Sequence, residues 1–306
     1  MSAIKIENLS KVFGDFKALD DLSFEVSENC VFGFLGPNGA GKTTTIRMLV
    51  GLSRPTSGRI FIDGEEVVFG KTMVNNKFGY LPEQPAFYGW MTGEEYLSFI
   101  ADLFLIKDKE TEIKRVLTLV KLTDAKSRRI AGYSNGMKQR LGIAQALINK
   151  PKVLILDEPV SALDPIGRKE VLEILLDLKK DHTIFLSTHI LSDVDRICDD
   201  VAILDHGKLI TVAKLSELKN EYAAPVLEIE FDEDPKGVAE ELRKEKWVQK
   251  VEQQGEIIRV WLKDEAVIDK NLPLKAVSKF NYGIVHYGML QLQTEDLFMN
   301  LVGEDK

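Results

Sequence analysis

The segment Gly36-Pro37-Asn38-Gly39-Ala40-Gly41-Lys42-Thr43 has the spacing GxxxxGK[ST]. Glycines in that pattern let backbone N–H groups close around phosphate oxygens. The helix that follows points its positive end at the same charge. Lys42 has the reach to meet β- and γ-phosphates, and the Thr43 hydroxyl suits Mg²⁺. Asn38, Gly39, Ala40, Gly41 and the following Thr44 complete a candidate cradle for the nucleotide. A second acidic locus lies far along the chain, where the apolar run Val153–Leu156 ends in Asp157-Glu158-Pro159. Asp157 is the expected partner of the metal, and Glu158 is the candidate to orient and deprotonate an attacking water. Neighbouring strand residues face opposite ways, so the two carboxylates serve one site only if the strand ends there, which Pro159 favours. Read alone, the pair could equally be solvated loop acids. His189 follows another apolar run, and Gln84 sits in Gly79-Tyr-Leu-Pro-Glu-Gln84. Each could touch a phosphate or a metal-bound water, and each could serve only the fold.

These residues need elements to hold them. Val31–Leu35, Val153–Leu156, Thr183–Leu186 and Val201–Leu204 are almost continuously apolar, the pattern of parallel strands buried on both faces under helices. The first of these runs precedes the glycine-rich loop, and helical periodicity over Thr44–Leu52 follows it, which is the context a phosphate loop requires. Ile4–Leu9 and Leu22–Val26 alternate like antiparallel strands, and Asp63-Gly64 marks a hairpin turn within Gly58–Val68. Between about residues 85 and 150 the strand signal fades and Thr92–Leu105 and Glu110–Leu119 are helical in pattern. Arg168–Lys180 is a further helix. From about Glu221 the composition changes. Val226–Phe231, Ile257–Leu262 and Ile284–Leu292 are strand candidates, Asp234–Trp247 is a charged surface helix, and Thr294–Leu301 a closing helix capped by Thr294. The expectation is a large α/β domain over residues 1–220 and a small α+β domain over 221–306.

The chain's 306 residues suffice for a large core and a smaller second domain, and 44% hydrophobic residues fit an ordinary globular protein. A net charge of -8 disfavours general binding to nucleic acid. Cys30 and Cys198 form no metal or disulfide pattern and are expected as buried free thiols. The opening MSAIKIENLS lacks the apolar centre of a signal peptide, and no run approaches the ~20 apolar residues of a membrane span. The chain itself is therefore expected in the cytoplasm.

Taken together and in order, these motifs resemble the nucleotide-binding subunit of ATP-binding cassette (ABC) transporters over roughly Ile4 to Leu215. Gly36–Thr43 resembles Walker A and Val153–Glu158 Walker B with its catalytic glutamate. Gln84 resembles the Q-loop glutamine, and Ser161-Ala-Leu-Asp164 the D-loop. Ser187-Thr-His189 resembles the switch histidine segment, and Phe13 the aromatic residue that stacks on adenine. Tyr133-Ser134-Asn135-Gly136-Met137 resembles the signature usually written LSGGQ. Tyr133, Asn135 and Met137 depart from it while Ser134 and Gly136 remain, a variant similar to those of cassettes serving exporters.

The resemblance implies an α/β P-loop NTPase cassette core with a helical subdomain and an antiparallel β subdomain, plus the small C-terminal α+β domain. It implies ATP and Mg²⁺ as cofactors, with Lys42, Gln84, Glu158 and His189 catalytic and Thr43, Gln84 and Asp157 at the metal. It also implies a head-to-tail dimer, with itself or a homologous cassette subunit. Each ATP would lie between one chain's Gly36–Thr43 and the other's Ser134 and Gly136, with Asp164 at the boundary. A multi-span membrane permease is the expected second partner, holding the chain at the inner face of the membrane. Phe87, Tyr88 and Trp90 are candidates for the edge of that contact, or for local core packing. Gln293–Gly303 resembles the end of exporter cassettes whose membrane domain is a separate chain. Two other readings are a cassette ATPase acting on ribosomes or DNA, and a nucleotide-gated regulatory adaptor.

Overall fold

The structure, a computed structural model, describes residues 2–71, 76–222, 225–263 and 271–290. The chain divides between Leu215 and Ser216 into two compact units. The first unit opens with strands β1 (Ser2–Phe13), β2 (Phe16–Ser27) and β3 (Val31–Leu35) and helix α1 (Lys42–Leu49). It continues through β4 (Ser57–Ile62), β5 (Glu65–Glu66), β6 (Phe78–Leu81), α2 (Gly93–Leu103), α3 (Lys109–Leu119) and α4 (Asn135–Leu147). It closes with β7 (Val153–Asp157), α5 (Pro165–Leu178), β8 (Thr183–Thr188), α6 (Leu191–Ile197), β9 (Asp200–Asp205) and β10 (Lys208–Lys214).

The apolar runs form the centre of a six-stranded sheet ordered β10-β9-β3-β8-β7-β6, parallel except for the β9–β10 hairpin. Alternate residues of each strand face different layers. Leu154, Leu156, Ile184 and Leu186 pack against the helices, α2 to α5. Phe32, Phe34, Ile155 and Phe185 pack instead against α1 and a second, antiparallel sheet ordered β2-β1-β4-β5. The expected helical cover on both faces is thus corrected: a sheet takes most of one side. Phe24 of that sheet stacks across the gap on Phe32 at 5.6 Å and on Phe34 at 5.7 Å between ring centroids.

Two helix starts are set by local chemistry. Thr92 Oγ1 accepts from the Glu95 N–H and Glu95 Oε2 accepts from the Thr92 N–H, a reciprocal cap for α2. Ser134 caps α4 by accepting from the Met137 N–H at 3.2 Å. Cys30 is buried and Cys198 only half-buried, both as free thiols, and burial pushes the Cys30 thiol up to about 12. Among the described residues no helix is long and apolar enough to cross a membrane.

After α7 (Leu215–Tyr222), the second unit comprises β11 (Val226–Phe231), α8 (Val238–Arg243), β12 (Val248–Gln254), β13 (Ile257–Leu262), α9 (Leu272–Val277) and β14 (Ile284–Leu290). Its sheet order β12-β13-β11-β14, antiparallel throughout, with a helix in each crossover, is the ferredoxin-like double split βαβ. Leu227, Ile229, Phe231, Ile258, Val260 and Leu262 share one sheet face with Val238, Leu242 and Val277 from the helices. The helix expected over Asp234–Trp247 is only α8, and it is not a wholly surface element, since Val238, Ala239 and Leu242 are buried. Trp247 packs against this core, and Lys250 Nζ lies 5.0 Å from the Trp261 ring centroid. The closing helix over Thr294–Leu301 and the Gln293–Gly303 match lie outside the described residues.

Candidate active site

The glycine-rich loop leaves β3 and enters α1 under tight steric limits. A Cβ at Gly36 would lie 2.3 Å from the Leu204 carbonyl oxygen. Gly41 has φ +110°, and a Cβ there would lie 2.5 Å from Leu19 Cδ2. The loop folds back over its own lysine. Lys42 Nζ, 6% exposed, donates to the Gly36 carbonyl at 2.7 Å and the Pro37 carbonyl at 3.2 Å. It also lies 3.4 Å from Glu158 Oε1. Ala40 is buried behind the loop, its carbonyl accepting from the Gly207 N–H at 3.0 Å.

β7 delivers the acidic pair. The strand ends at Asp157, and Glu158 then adopts φ +47°, a left-handed conformation that costs about 1–2 kcal/mol for such a residue. That turn lets two adjacent carboxylates serve one site. Asp157 Oδ1 accepts from Ser187 Oγ at 2.7 Å and from Thr43 Oγ1 at 3.4 Å. Both oxygens of Glu158 lie 3.0 Å from His189 Nδ1. Ser187 joins the pair, because its Oγ also accepts from the Glu158 N–H at 2.9 Å. Burial pushes the Asp157 carboxyl above its ordinary range, and the hydrogen bonds from Ser187 and Thr43 oppose the shift.

A cavity of about 320 Å³ opens over these groups, lined by Phe13, Phe16, Ala18, Asn38, Gly39, Gly41, Lys42, Thr43, Thr44, Glu83, Glu158, Ser161 and His189. Phe13 and Phe16, both largely exposed, form one wall. Gln84 is exposed and is not among the lining residues, where its neighbour Glu83 stands. Ser134, Gly136 and Asp164 do not line the cavity either. They neighbour one another at the starts of α4 and α5. A Cβ on Gly136 would lie 3.8 Å from Gly167 Cα, and one on Gly167 would lie 2.9 Å from Asp164 Oδ1.

Phe16 and Glu83 carry no site role from sequence alone, and Ser187 and Ser161 enter the site only as members of the switch-histidine and D-loop segments. For Ser187 the sequence offers only a hydroxyl at the end of an apolar run, and its place beside Asp157 comes from the β7–β8 register. Thr43 and Asp157 together offer hard oxygen donors to a small divalent ion. The described residues hold no cluster of three or more His, Cys, Asp or Glu side chains able to cage a metal. The fit is to an ion that draws its other ligands from phosphate and water, as Mg²⁺ does.

A phosphate loop at a helix start, a buried lysine and a carboxylate beside a histidine define a P-loop nucleotide hydrolase. The family model described as ABC transporter matches residues 19–161. The chain is 46% identical to the uncharacterized ABC transporter ATP-binding protein YxlF of Bacillus subtilis over 78% of this chain and 80% of that one. It is 44% identical to the bacitracin transport ATP-binding protein BcrA of Bacillus licheniformis over 71% of each. A solved ATP-binding subunit of an ABC transporter superposes with TM-score 0.65 and 32% identity, over 72% of this chain and 94% of the other. The chain belongs to the ABC transporter family, as one of its ATP-binding, ATP-hydrolysing subunits.

Proposed function

We propose that the chain dimerises head to tail around ATP and drives an exporter whose membrane-spanning part is a separate chain. The observation that carries this reading is the one-sidedness of the site. Lys42, Glu158 and His189 converge on the cavity, whereas Ser134 is exposed at the start of α4 and lines none of it. A second copy supplies Ser134, Gly136 and a helix N-terminus to the open side of the nucleotide. Asp164, beside Gly136, then lies at the dimer boundary. Lys42 leaves its own loop carbonyls for the β- and γ-phosphates. Glu158 accepts a proton from the water that attacks the γ-phosphorus, releasing ADP and phosphate. His189, 3.0 Å from both carboxylate oxygens, holds that carboxylate in place. Thr43 and Asp157 would hold Mg²⁺, with Gln84 reaching a water on it, and the ion supplies charge neutralisation of the phosphates.

The export direction and separate membrane chain are supported by the signature variant and by likeness to a bacitracin transport subunit. Tyr88 and Trp90, 53% and 70% exposed, offer an aromatic contact to that membrane chain at the cytoplasmic face. Phe87 does not share this role, since it packs edge-on against Tyr96 in the core. The test is Glu158→Gln with ATP and Mg²⁺, followed by light scattering and phosphate release. Turnover should fall by about 100-fold or more, and the 34.5 kDa chain should double in mass. Unchanged turnover, or a nucleotide-loaded monomer at high concentration, would sink the reading.

A further inference from the structure

Tyr133 sits immediately before Ser134, the cap of α4, and is only 5% exposed. Its hydroxyl donates to the Ala125 carbonyl at 2.7 Å. Facing it is Gly93, the first residue of α2. A Cβ at Gly93 would lie 2.5 Å from the Tyr133 hydroxyl oxygen but 3.4 Å from its Cζ. The Gly93 backbone is not left-handed, so its conformation does not require glycine, and alanine is the better helix former. The space is kept open by the absence of a side chain, and what fills it is one hydroxyl group.

The same two stretches of chain are laced along their length. Ala131 N–H donates to the Gly89 carbonyl at 3.0 Å, Ile130 N–H to the Met91 carbonyl at 2.9 Å, and Glu94 N–H to the Lys126 carbonyl at 3.0 Å. Lys126 Nζ also pairs with Glu94 Oε1 at 2.9 Å. Residues 89–94 and 125–133 therefore form one laced body, paired antiparallel, that carries the exposed Trp90 and leads directly into Ser134.

The geometry points to Tyr133 as a positioning residue for Ser134. Its hydroxyl, seated in the gap left by Gly93, sets the angle at which the start of α4 is presented to the other subunit's nucleotide. The inference rests on the head-to-tail dimer proposed above. None of the groups that hold the chain's own nucleotide loop depends on it.

The test uses full-length chain carrying Glu158→Gln and reads the protein concentration at which ATP half-converts monomer to dimer. Tyr133→Phe keeps the ring and removes the hydroxyl's bonds with the Ala125 carbonyl and the Gly93 N–H. It should raise that concentration about tenfold, while fluorescent ATP analogue binds the monomer with unchanged affinity. Gly93→Ala should shift it in the same direction, because its methyl displaces the hydroxyl. The double variant should be no worse than Tyr133→Phe alone, since the remaining 3.4 Å contact is tolerable. Additive effects, or an unmoved midpoint in Tyr133→Phe, would overturn the assignment and leave the dimer standing. A parent variant that stays monomeric with ATP overturns both.

Discussion

The two regions of this chain proposed to face phosphate are built in opposite ways. Around Lys42 almost every polar group has a partner within the chain. Its ammonium is held by two loop carbonyls and Glu158, Glu158 by His189, and Asp157 by Ser187 and Thr43. The region is buried and preorganised, so it gains electrostatic strength from its low dielectric. At Ser134 the hydroxyl caps its own helix and the residue faces solvent. One region is complete within the chain, and the other offers a helix end with nothing of this site beyond it. In the proposed dimer that contrast separates binding from turnover, because the first would need one chain and the second two.

The largest effects should fall on Lys42 and Ser134, and should differ in kind. Lys42→Ala removes the buried cation proposed to neutralise phosphate. ATP analogue binding to the monomer and phosphate release should both fall, the latter by about 100-fold or more. Ser134→Ala should leave monomer binding intact and lower turnover about tenfold or more, with the loss appearing in the protein-concentration dependence of the rate. If Ser134→Ala weakens binding by the dilute monomer as Lys42→Ala does, the two-region contrast is wrong.

Ser187 comes next. Its hydroxyl both accepts from the Glu158 N–H and donates to Asp157, so Ser187→Ala leaves a buried N–H and a buried carboxylate short of a partner. A loss of about 1–3 kcal/mol in stability is expected, with kcat falling more than KM rises, read by thermal melting and steady-state kinetics. Asp157→Asn should act in the opposite sense on stability. Burial raises the folded-state pKa of Asp157, so the folded chain prefers the protonated form. The associated stability is fully present below the unfolded carboxylate range and is lost as pH rises through the folded value. In EDTA at neutral pH, Asp157→Asn should therefore melt higher than the parent chain while hydrolysing no ATP. A lower melting temperature would show that the bonds from Ser187 and Thr43 outweigh burial.

The same contrast decides what could be read before folding. Strands β3, β11 and β13 begin and end where their sequence patterns do, β3 because it is buried throughout and β11 and β13 because alternate residues cover one core face. β6 and β12 left no such mark. Both are edge strands, and β12 buries only Val248 and Val251 of its seven residues. The catalytic loop was legible because phosphate chemistry tolerates few residue types at fixed spacing. Ser187 was not, because its value arises only when β8 lies beside β7 and Asp157 meets it in register. The Gly93–Tyr133 pairing was hidden for the same reason, a contact between residues 40 apart in the chain. In the second unit no motif exists to read, and its ferredoxin-like topology follows only from strand pairing that alternation cannot specify.

The smallest expected effect concerns the outer wall of the cavity, where the two aromatic candidates differ. Phe13 ends β1 and has the Lys11 ammonium 4.7 Å from its ring centroid, while Phe16 opens β2 across the turn and is more exposed. A ring already facing a cation offers its other face to adenine, so Phe13 is the better stacking surface. Phe13→Ala should raise KM for ATP by about 2- to 10-fold, the worth of one aromatic contact, and leave kcat unchanged. Phe16→Ala should change KM less than Phe13→Ala does. If Phe16→Ala alone raises KM, adenine lies over Phe16, and Phe13 serves chiefly as the seat of Lys11. Equal shifts in both would place the base across the turn between them. Either result would leave the separation between the closed phosphate region and the open signature intact, because neither ring touches the groups that bind Lys42 or cap α4.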